Sequence, residues 1–378
     1  MRKERTWIEI SERALTSNIQ QLRSISHGAR FCAIVKANAY GHGLNELSHI
    51  AGRAGVDAFG VDSIDDALFL RERFPSALLI VLGFTLPSRF DDAIRHQIHL
   101  TMYDREGIDE LQTIAAKSAS VAFVHLKLET GTSRQGVMED DIPMMMDVFK
   151  ISKHLVLAGL STHFANIEDV DLPQYASMQF ERFAKAVHQI QSLGFSPEYI
   201  HCACSAAIIF YPDTHGTLVR AGISLYGIWP SEQSQSASRK RELAVELQPV
   251  LQWKTRIAQI KSLPAGTPVG YGMTEILPRR SRIAVLPVGY FDGYDRRFSS
   301  KGEVLVGGYR CRVVGRVCMN MMMVDVSAVP NPEKEQEVIL IGRDGRHELL
   351  ANQMAHQIGT IGYELLSRIN PTLPRVVV

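Results

Sequence analysis

Residues 31–61 read FCAIVKANAYGHGLNELSHIAGRAGVDAFGV. The apolar run from Phe31 to Val35 stops at Lys36, and small polar residues, Tyr40, Gly41 and Gly43 follow. An amphipathic stretch, NELSHIAGRAG, then leads to a second short apolar run, AFGV. Short apolar runs bounded by turn residues read as buried strands, and the helical spacing between them reads as a crossover. The stretch is therefore a strand–helix–strand unit, whose two strands lie parallel because a helix carries the chain back between them.

The same unit recurs. Ser11 reads as a helix N-cap, with Leu15, Ile19 and Leu22 at helical spacing behind it. Six more apolar runs follow AFGV: LLIVLG, IHLTM, VAFVHLKL, VLAGLST, YIHCAC and LVRAGISL. Helical stretches such as SIDDALFLRERF, EGIDELQTIAAKS and QYASMQFERFAKAVHQIQSLG separate most of them, and only SAAIIFYPDTHG is too irregular to read as a helix. Eight alternating strands predict a (β/α)8 barrel of the TIM type over residues 11–235. A doubly wound open sheet would want a GxGxxG turn or a phosphate loop, and the sequence has neither. PSEQSQSASRKRE (230–242) reads as a polar linker. Beyond it PVLQWKTRIAQIKSL, RIAVLPVGY, EVLVGGYRCRVVGRV, MMMVDV and EVILIG are strands punctuated by glycine and proline, with one helix in ELLANQMAHQIG. Residues 236–378, joined by 1–10, are expected to form a mostly-β domain.

Composition narrows the function classes. Lys and Arg number 41 against 40 Asp and Glu, so no charge excess points to nucleic acid or to an anionic membrane. The basic start MRKERTWIEI lacks the apolar stretch of a signal peptide, and no 18-residue apolar run occurs. Five cysteines without CxxC spacing argue against a disulfide scaffold and a zinc site, so no metal is expected. The expectation is a cytoplasmic protein with reduced thiols.

In such a barrel the site lies at the carboxyl ends of the strands. Lys36 ends the first strand, Arg134 follows the fifth in LETGTSRQG, and His163 ends the sixth. His201 and Ser205 lie in and just after the seventh, and Arg220 with Gly222 in the eighth. Each has an ordinary alternative: Lys36 as the first solvated residue past a strand, the histidines as satisfied structural residues, the arginines as ion-pair partners. Their convergence on one mouth favours a site. Ser205 offers a hydroxyl, Gly222 and Ile223 offer N–H groups that a ligand can approach closely, and Tyr40 adds another hydroxyl. A lysine in a partly dry, cationic setting loses its proton more readily and attacks aldehydes. A phosphorylated aldehyde held as a Schiff base, pyridoxal 5'-phosphate, suits both ends.

At these residues the chain resembles the alanine racemase family. AIVKANAYGHG is similar to that family's cofactor-lysine signature, and LVRAGISLYG, GYFDGYDRRFS, GRVCMNMMMVD and IGYELLSRI resemble further blocks in the same order, across nearly the whole chain. The resemblance implies a (β/α)8 barrel with a C-terminal β domain and a homodimer whose sites borrow residues from the partner's second domain. It implies an isomerase that interconverts L- and D-alanine and supplies D-alanine for the peptidoglycan of the cell wall. Lys36 would hold the cofactor and act as base on one face; Tyr271, in VGYG, would act on the other from the second subunit. Arg220 would donate to the pyridine nitrogen, and His163 with Arg220 would help hold the Tyr271 phenolate. Tyr40, Ser205, Gly222, Ile223 and Tyr363 would hold the phosphate, Arg134 and the Met319 backbone the substrate carboxylate. Lys127 matches a lysine carbamylated in some members, His201 would support Arg220, and Tyr363, Arg297 and Arg316 would line the entrance.

The chain departs from the family's pattern at Glu129–Thr132, where Asp-Thr-Gly-Met is usual, and at Cys204, Ala221 and Asn320, which replace Asn, Pro and Asp. None removes a catalytic group; together they leave the substrate range open. A broader-specificity racemase, taking serine for example, and a decarboxylase on a similar scaffold are the enzymatic alternatives. A non-enzymatic pyridoxal-phosphate carrier resembles the barrel alone, and residues 240–378 argue against it.

Overall fold

The computed structural model describes residues 3–378. The chain forms two compact units: one comprises Thr16–Ala37 and Ser48–Gln248, the other the N-terminal residues to Leu15, Asn38–Leu47 and Pro249–Val378.

The first unit is an eight-stranded parallel sheet curled into a nearly closed barrel. Its strands are β1 (Arg30–Ile34), β2 (Ala58–Val61), β3 (Leu78–Val81), β4 (His99–Met102), β5 (Ala122–Lys127), β6 (Leu155–Ser161), β7 (Tyr199–His201) and β8 (Leu218–Ala221). Successive strands pair in parallel from β1 to β7, and β8 pairs with β1. At the remaining seam two backbone bonds join the edges, Thr217 N to Ile200 O (2.9 Å) and Arg220 N to Ala203 O (3.0 Å). The strands read as apolar runs because both faces are covered, by helices outside and by the opposite wall inside.

Local chemistry starts the outer helices. The Ser63 hydroxyl accepts from Asp66 N (3.1 Å) before Ile64–Arg73, and the Asp104 carboxylate from Gly107 N (2.7 Å) before Arg105–Lys117. Arg105–Lys117 buries Ile108, Leu111 and Ala115, one helical face turned to the barrel. Truncating Leu111, which is wholly buried, would cost about 2–5 kcal/mol.

Two readings of the sequence need correction here. The irregular seventh connection contains a helix, Ser205–Phe210, and a 3-10 turn, Pro212–Thr214. The polar stretch expected to be a linker folds as the helix Glu232–Lys240. Its serines, which made it look like linker, build a capping box: Ser231 Oγ accepts from Ser234 N (3.0 Å), and Ser234 Oγ accepts from Ser231 N (3.0 Å).

The second unit is mostly β. Its main sheet runs Tyr309–Arg312, Glu303–Val306, Glu337–Asp344, Leu251–Arg256, Thr6–Ile10, Arg375–Val377, so the N-terminal strand is the antiparallel neighbour of Leu251–Arg256. Along Leu251–Arg256 buried and half-buried residues alternate, with Leu251, Trp253 and Thr255 facing in. A three-stranded sheet pairs Gln259–Leu263, Ser281–Leu286 and Met322–Asp325. The short hairpin Pro268–Val269 and Glu275–Ile276 carries Tyr271 in its turn. Two helices, Ala351–Gln357 and Gly362–Ser367, complete the unit.

Candidate functional site

The end of β1 is held on two sides: Val35 N donates to Gly60 O (2.9 Å), and the buried Tyr226 hydroxyl donates to Ile34 O (2.7 Å). Lys36 follows directly, 39% exposed, with Nζ 3.5 Å from the Asp62 carboxylate. The segment behind it is no soft loop. Lys36–Tyr40 is one helical turn, and Ala37, Asn38, Ala39 and Tyr40 all have φ of 52–53°, which makes it left-handed. Each such residue costs roughly 1–2 kcal/mol, so neighbours must hold the turn in place. Within the second unit, Gly43 N donates to Asn38 O (3.0 Å), Leu44 N to Asn38 Oδ1 (2.8 Å) and Arg375 Nη2 to Gly41 O (2.8 Å). The buried His42 ring turns Nδ1 to the carbonyls of Ala39 and Tyr40 (3.1 Å each), so that nitrogen carries the proton.

The other barrel candidates gather at the same mouth. Lys127 ends β5, and its pKa falls to about 8, first because it is buried and then because Arg134, Arg220 and Lys36 repel its charge. His163 is lowered to about 3 by burial and by Arg220, Arg134, Lys127 and Lys36, so it is neutral. Arg134 is exposed on a loop organised by Glu129, whose carboxylate accepts from the N–H groups of Gly131 (2.6 Å), Ser133 (3.1 Å) and Arg134 (3.3 Å). Burial works to raise the Glu129 pKa, but these donors outweigh it and hold the group ionised. The glutamate that departs from the family pattern thus shapes the loop. Thr132, the next departure, donates its hydroxyl to His163 O.

Ser205 opens the helix after β7, and its Oγ accepts from Gly222 N (3.0 Å) and Ser224 N (3.2 Å). The Gly222 N–H, expected to face a ligand, is therefore directed to Ser205. Having accepted twice, the hydroxyl has its own proton to donate outward, beside Ile223. Arg220 is buried, and Nη1 donates to His201 Nδ1 (2.6 Å) and O (2.7 Å), Nη2 to Thr162 O (2.8 Å) and Cys202 O (3.3 Å). His163 Nδ1 lies 3.5 Å from Nη2. Among the described residues these bonds leave Nε without a protein acceptor: a fixed cationic donor.

The remaining candidates belong to the second unit. The rings of Tyr40 and Tyr363 lie 6.0 Å apart. Tyr271 sits between Gly270 (φ 75°) and Gly272 (φ 73°) and is 73% exposed. Arg316 packs along this turn, since a Cβ on Gly272 would lie 2.9 Å from its Nη1. Met319 is exposed, and Arg297 is tied to Asp295 (2.8 Å) and to Ile358 O (2.9 Å). Sequence reasoning missed Asp62, Glu129 as loop organiser and Arg375. Asp62 and Arg375 meet partners on other elements, Lys36 and Gly41, that no local pattern marks, whereas Glu129 binds N–H groups two to five residues further along its own loop.

A barrel mouth that collects Lys36, Lys127, Arg134 and Arg220, in a chain with its own β unit, defines a two-domain barrel protein with a cationic mouth. Comparison with known proteins gives the family. Residues 10–230 match "Alanine racemase, N-terminal domain" and residues 250–377 match "Alanine racemase, C-terminal domain". The alanine racemase of Leptospira interrogans serogroup Icterohaemorrhagiae serovar Lai is 36% identical over 376 residues, 99% of this chain and 96% of that protein. The crystal structure of alanine racemase from D-cycloserine producing Streptomyces lavendulae superposes with a TM-score of 0.93 at 28% identity, covering 100% of this chain and 98% of that one. A histidine racemase from Leuconostoc mesenteroides subsp. sake gives 0.91 at 28% identity, with coverage of 100% and 99%. This chain belongs to the alanine racemase family.

Proposed function

We propose that the protein interconverts L-alanine and D-alanine with pyridoxal 5'-phosphate, as a cytoplasmic homodimer that supplies D-alanine for peptidoglycan. The observation that carries the reading is the barrel mouth: a lysine at the end of β1 and a buried arginine whose Nε has no acceptor among the described residues. The donor set suits the cofactor. Lys36 would hold its aldehyde carbon, Ser205 Oγ, Ile223 N and the tyrosine pair Tyr40 and Tyr363 its phosphate, and Arg220 Nε its ring nitrogen. When bound, that group supplies a conjugated ring able to accept the electron pair left by the α-proton.

The chain's own residues do the rest. A guanidinium keeps its proton at any working pH, so Arg220 offers a hydrogen bond without giving up charge. Arg134 draws in the substrate carboxylate, with Met319 N of the second copy as a further donor and Arg297 and Arg316 along the entrance. Racemisation removes a proton from one face of the α-carbon and returns one to the other, which requires two bases. Lys36 Nζ serves one face and Tyr271 Oη of the second copy the other; the exposure of Tyr271 supports its availability to a partner. His163 presents Nδ1 to an arginine that can only donate, so Nε2 carries its proton and can donate to a tyrosinate. The lowered pKa of Lys127 makes its free amine available to carbon dioxide, and a carbamate there would be an anion set among Arg134, Arg220 and Lys36.

A second reading, action on serine or on larger side chains, is favoured by the histidine racemase likeness and by Thr132, Cys204, Ala221 and Asn320. An apolar pocket rejects one extra hydroxyl by only about 100-fold. The test of the primary reading is Lys36→Ala: the purified variant should lose both the visible absorption of bound pyridoxal phosphate and racemisation. Retention of both would refute the assignment.

A further inference from the structure

Arg220 is the near end of a line of three imidazoles, His201 and His125 buried and His99 half-buried, of which the reaction described above uses only His201, as a support for Arg220. Its Nη1 lies 2.6 Å from His201 Nδ1; His201 Nε2 lies 2.7 Å from His125 Nδ1; His125 Nε2 lies 3.0 Å from His99 Nδ1. The line runs from β8 through β7 and β5 to β4, where His99 is the first residue of its strand. Stacking fixes the rings: His99 lies on Phe123 at 4.7 Å and 6°, and His125 on Tyr199 at 5.5 Å and 16°.

The chemistry of the arginine sets the direction of every proton. A guanidinium has five donors and no acceptor, so His201 Nδ1 must accept. His201 is then neutral with its proton on Nε2, which it gives to His125 Nδ1. His125 in turn carries its proton on Nε2 and gives it to His99 Nδ1. No member can take a second proton, because each Nδ1 is already an acceptor. Reversing the line would face two N–H groups across 2.6 Å at Arg220.

A second observation points the same way. In passing from β5 to β7 the line crosses β6 at Gly159, which is in register with both His125 and Tyr199. A Cβ at Gly159 would stand 2.5 Å from His125 Nδ1 and 2.8 Å from Cε1. Gly159 is not among the residues of positive φ, so what requires glycine there is space: for the His125 ring first, and for the Tyr199 carbonyl oxygen, which would lie 2.9 Å from the same Cβ.

We propose that His99 and Gly159 are positioning residues for Arg220, His99 as the terminal acceptor of a one-way imidazole chain and Gly159 as the gap through which it passes. The role in turnover rests on the reading that Arg220 serves the reaction. Without an acceptor at position 99, the His125 proton gains by moving to Nδ1, where it bonds His201 Nε2. The His201 proton is then forced to Nδ1, against Arg220, and the guanidinium loses the contact that fixes the direction of Nε.

The test is 15N NMR of the cofactor-loaded full-length protein with ring-labelled histidine, assigned through single-histidine variants. In the wild type His201, His125 and His99 should all be neutral with the proton on Nε2. A proton on Nδ1 of His201 or His125, or an imidazolium at any of the three, overturns the chain. His99→Phe should give mixed tautomers at His125 and His201 and lower kcat about tenfold, with KM for alanine within about twofold. His99→Gln, which restores an acceptor, should recover both, and Gly159→Ala should reproduce the defect with every histidine in place. Unchanged kcat in His99→Phe or in Gly159→Ala, once its tautomers are mixed, overturns the positioning role. The wild-type tautomers are read without reference to turnover. Absence of cofactor absorption would therefore defeat the functional reading, and a wrong tautomer would defeat this one.

Discussion

Replacing Lys127 by Met should make the protein more stable at neutral pH. The folded pKa of Lys127 is about 8 against 10.5 ordinarily, with burial and the charges of Arg134, Arg220 and Lys36 disfavouring the protonated amine. The unfolded chain keeps its proton up to the ordinary value. Between pH 8 and 10.5 the unfolded state therefore binds more protons, and stability rises with pH across that window; below it the full cost of the buried charge is present. A shift of about 2.5 units corresponds to at most about 3.4 kcal/mol, and solvent at the open mouth reduces this to about 1–2 kcal/mol. Urea unfolding in carbon-dioxide-free buffer from neutral to alkaline pH reads the effect. Lys127→Met should be the more stable protein at pH 7 by about 1–2 kcal/mol, with the gap closing by about pH 10.5. Bicarbonate should then stabilise the wild type alone, because a carbamate turns repulsion by three cations into attraction. A variant less stable than wild type by the same amount at every pH would refute the repulsion argument.

Tyr271→Phe should abolish solvent exchange of the α-proton of L-alanine, read by NMR in heavy water, while pyridoxal phosphate absorption persists; unchanged exchange removes Tyr271 from its role. Mixing inactive Lys36→Ala and Tyr271→Phe proteins should restore some activity if subunits exchange, and exchange without recovery argues against shared sites. Gly41→Ala puts a side chain at φ +83° with its Cβ 2.0 Å from Leu366 O. It should cost about 3 kcal/mol or more in denaturant unfolding, and a loss under 1 kcal/mol would contradict the left-handed turn.

The barrel was legible because parallel strands buried on both faces leave short apolar runs, and Lys36 and His163 stand just past the ends of two of them. The left-handed turn was not legible: Ala-Asn-Ala-Tyr contains no glycine, and the conformation is held by contacts such as Arg375 to Gly41, 334 residues apart in sequence. The helix Glu232–Lys240 was hidden by serines that cap it. Gly159 in VLAGLS reads only as a weak point in a strand. That it makes room for His125 depends on the register of β5 against β6, which no local pattern encodes. Tyr271 reads as an ordinary turn tyrosine between two glycines, because its proposed partner is another copy of the chain.

Racemisation of alanine at the Lys36 site is read by incubating the purified protein and pyridoxal phosphate with L-alanine, serine and histidine separately, with chiral analysis of each product over time. L-alanine should be converted fastest and settle at equal amounts of the two enantiomers, as the symmetry of the reaction demands. No D-alanine, alongside rapid racemisation of serine or histidine, would contradict it.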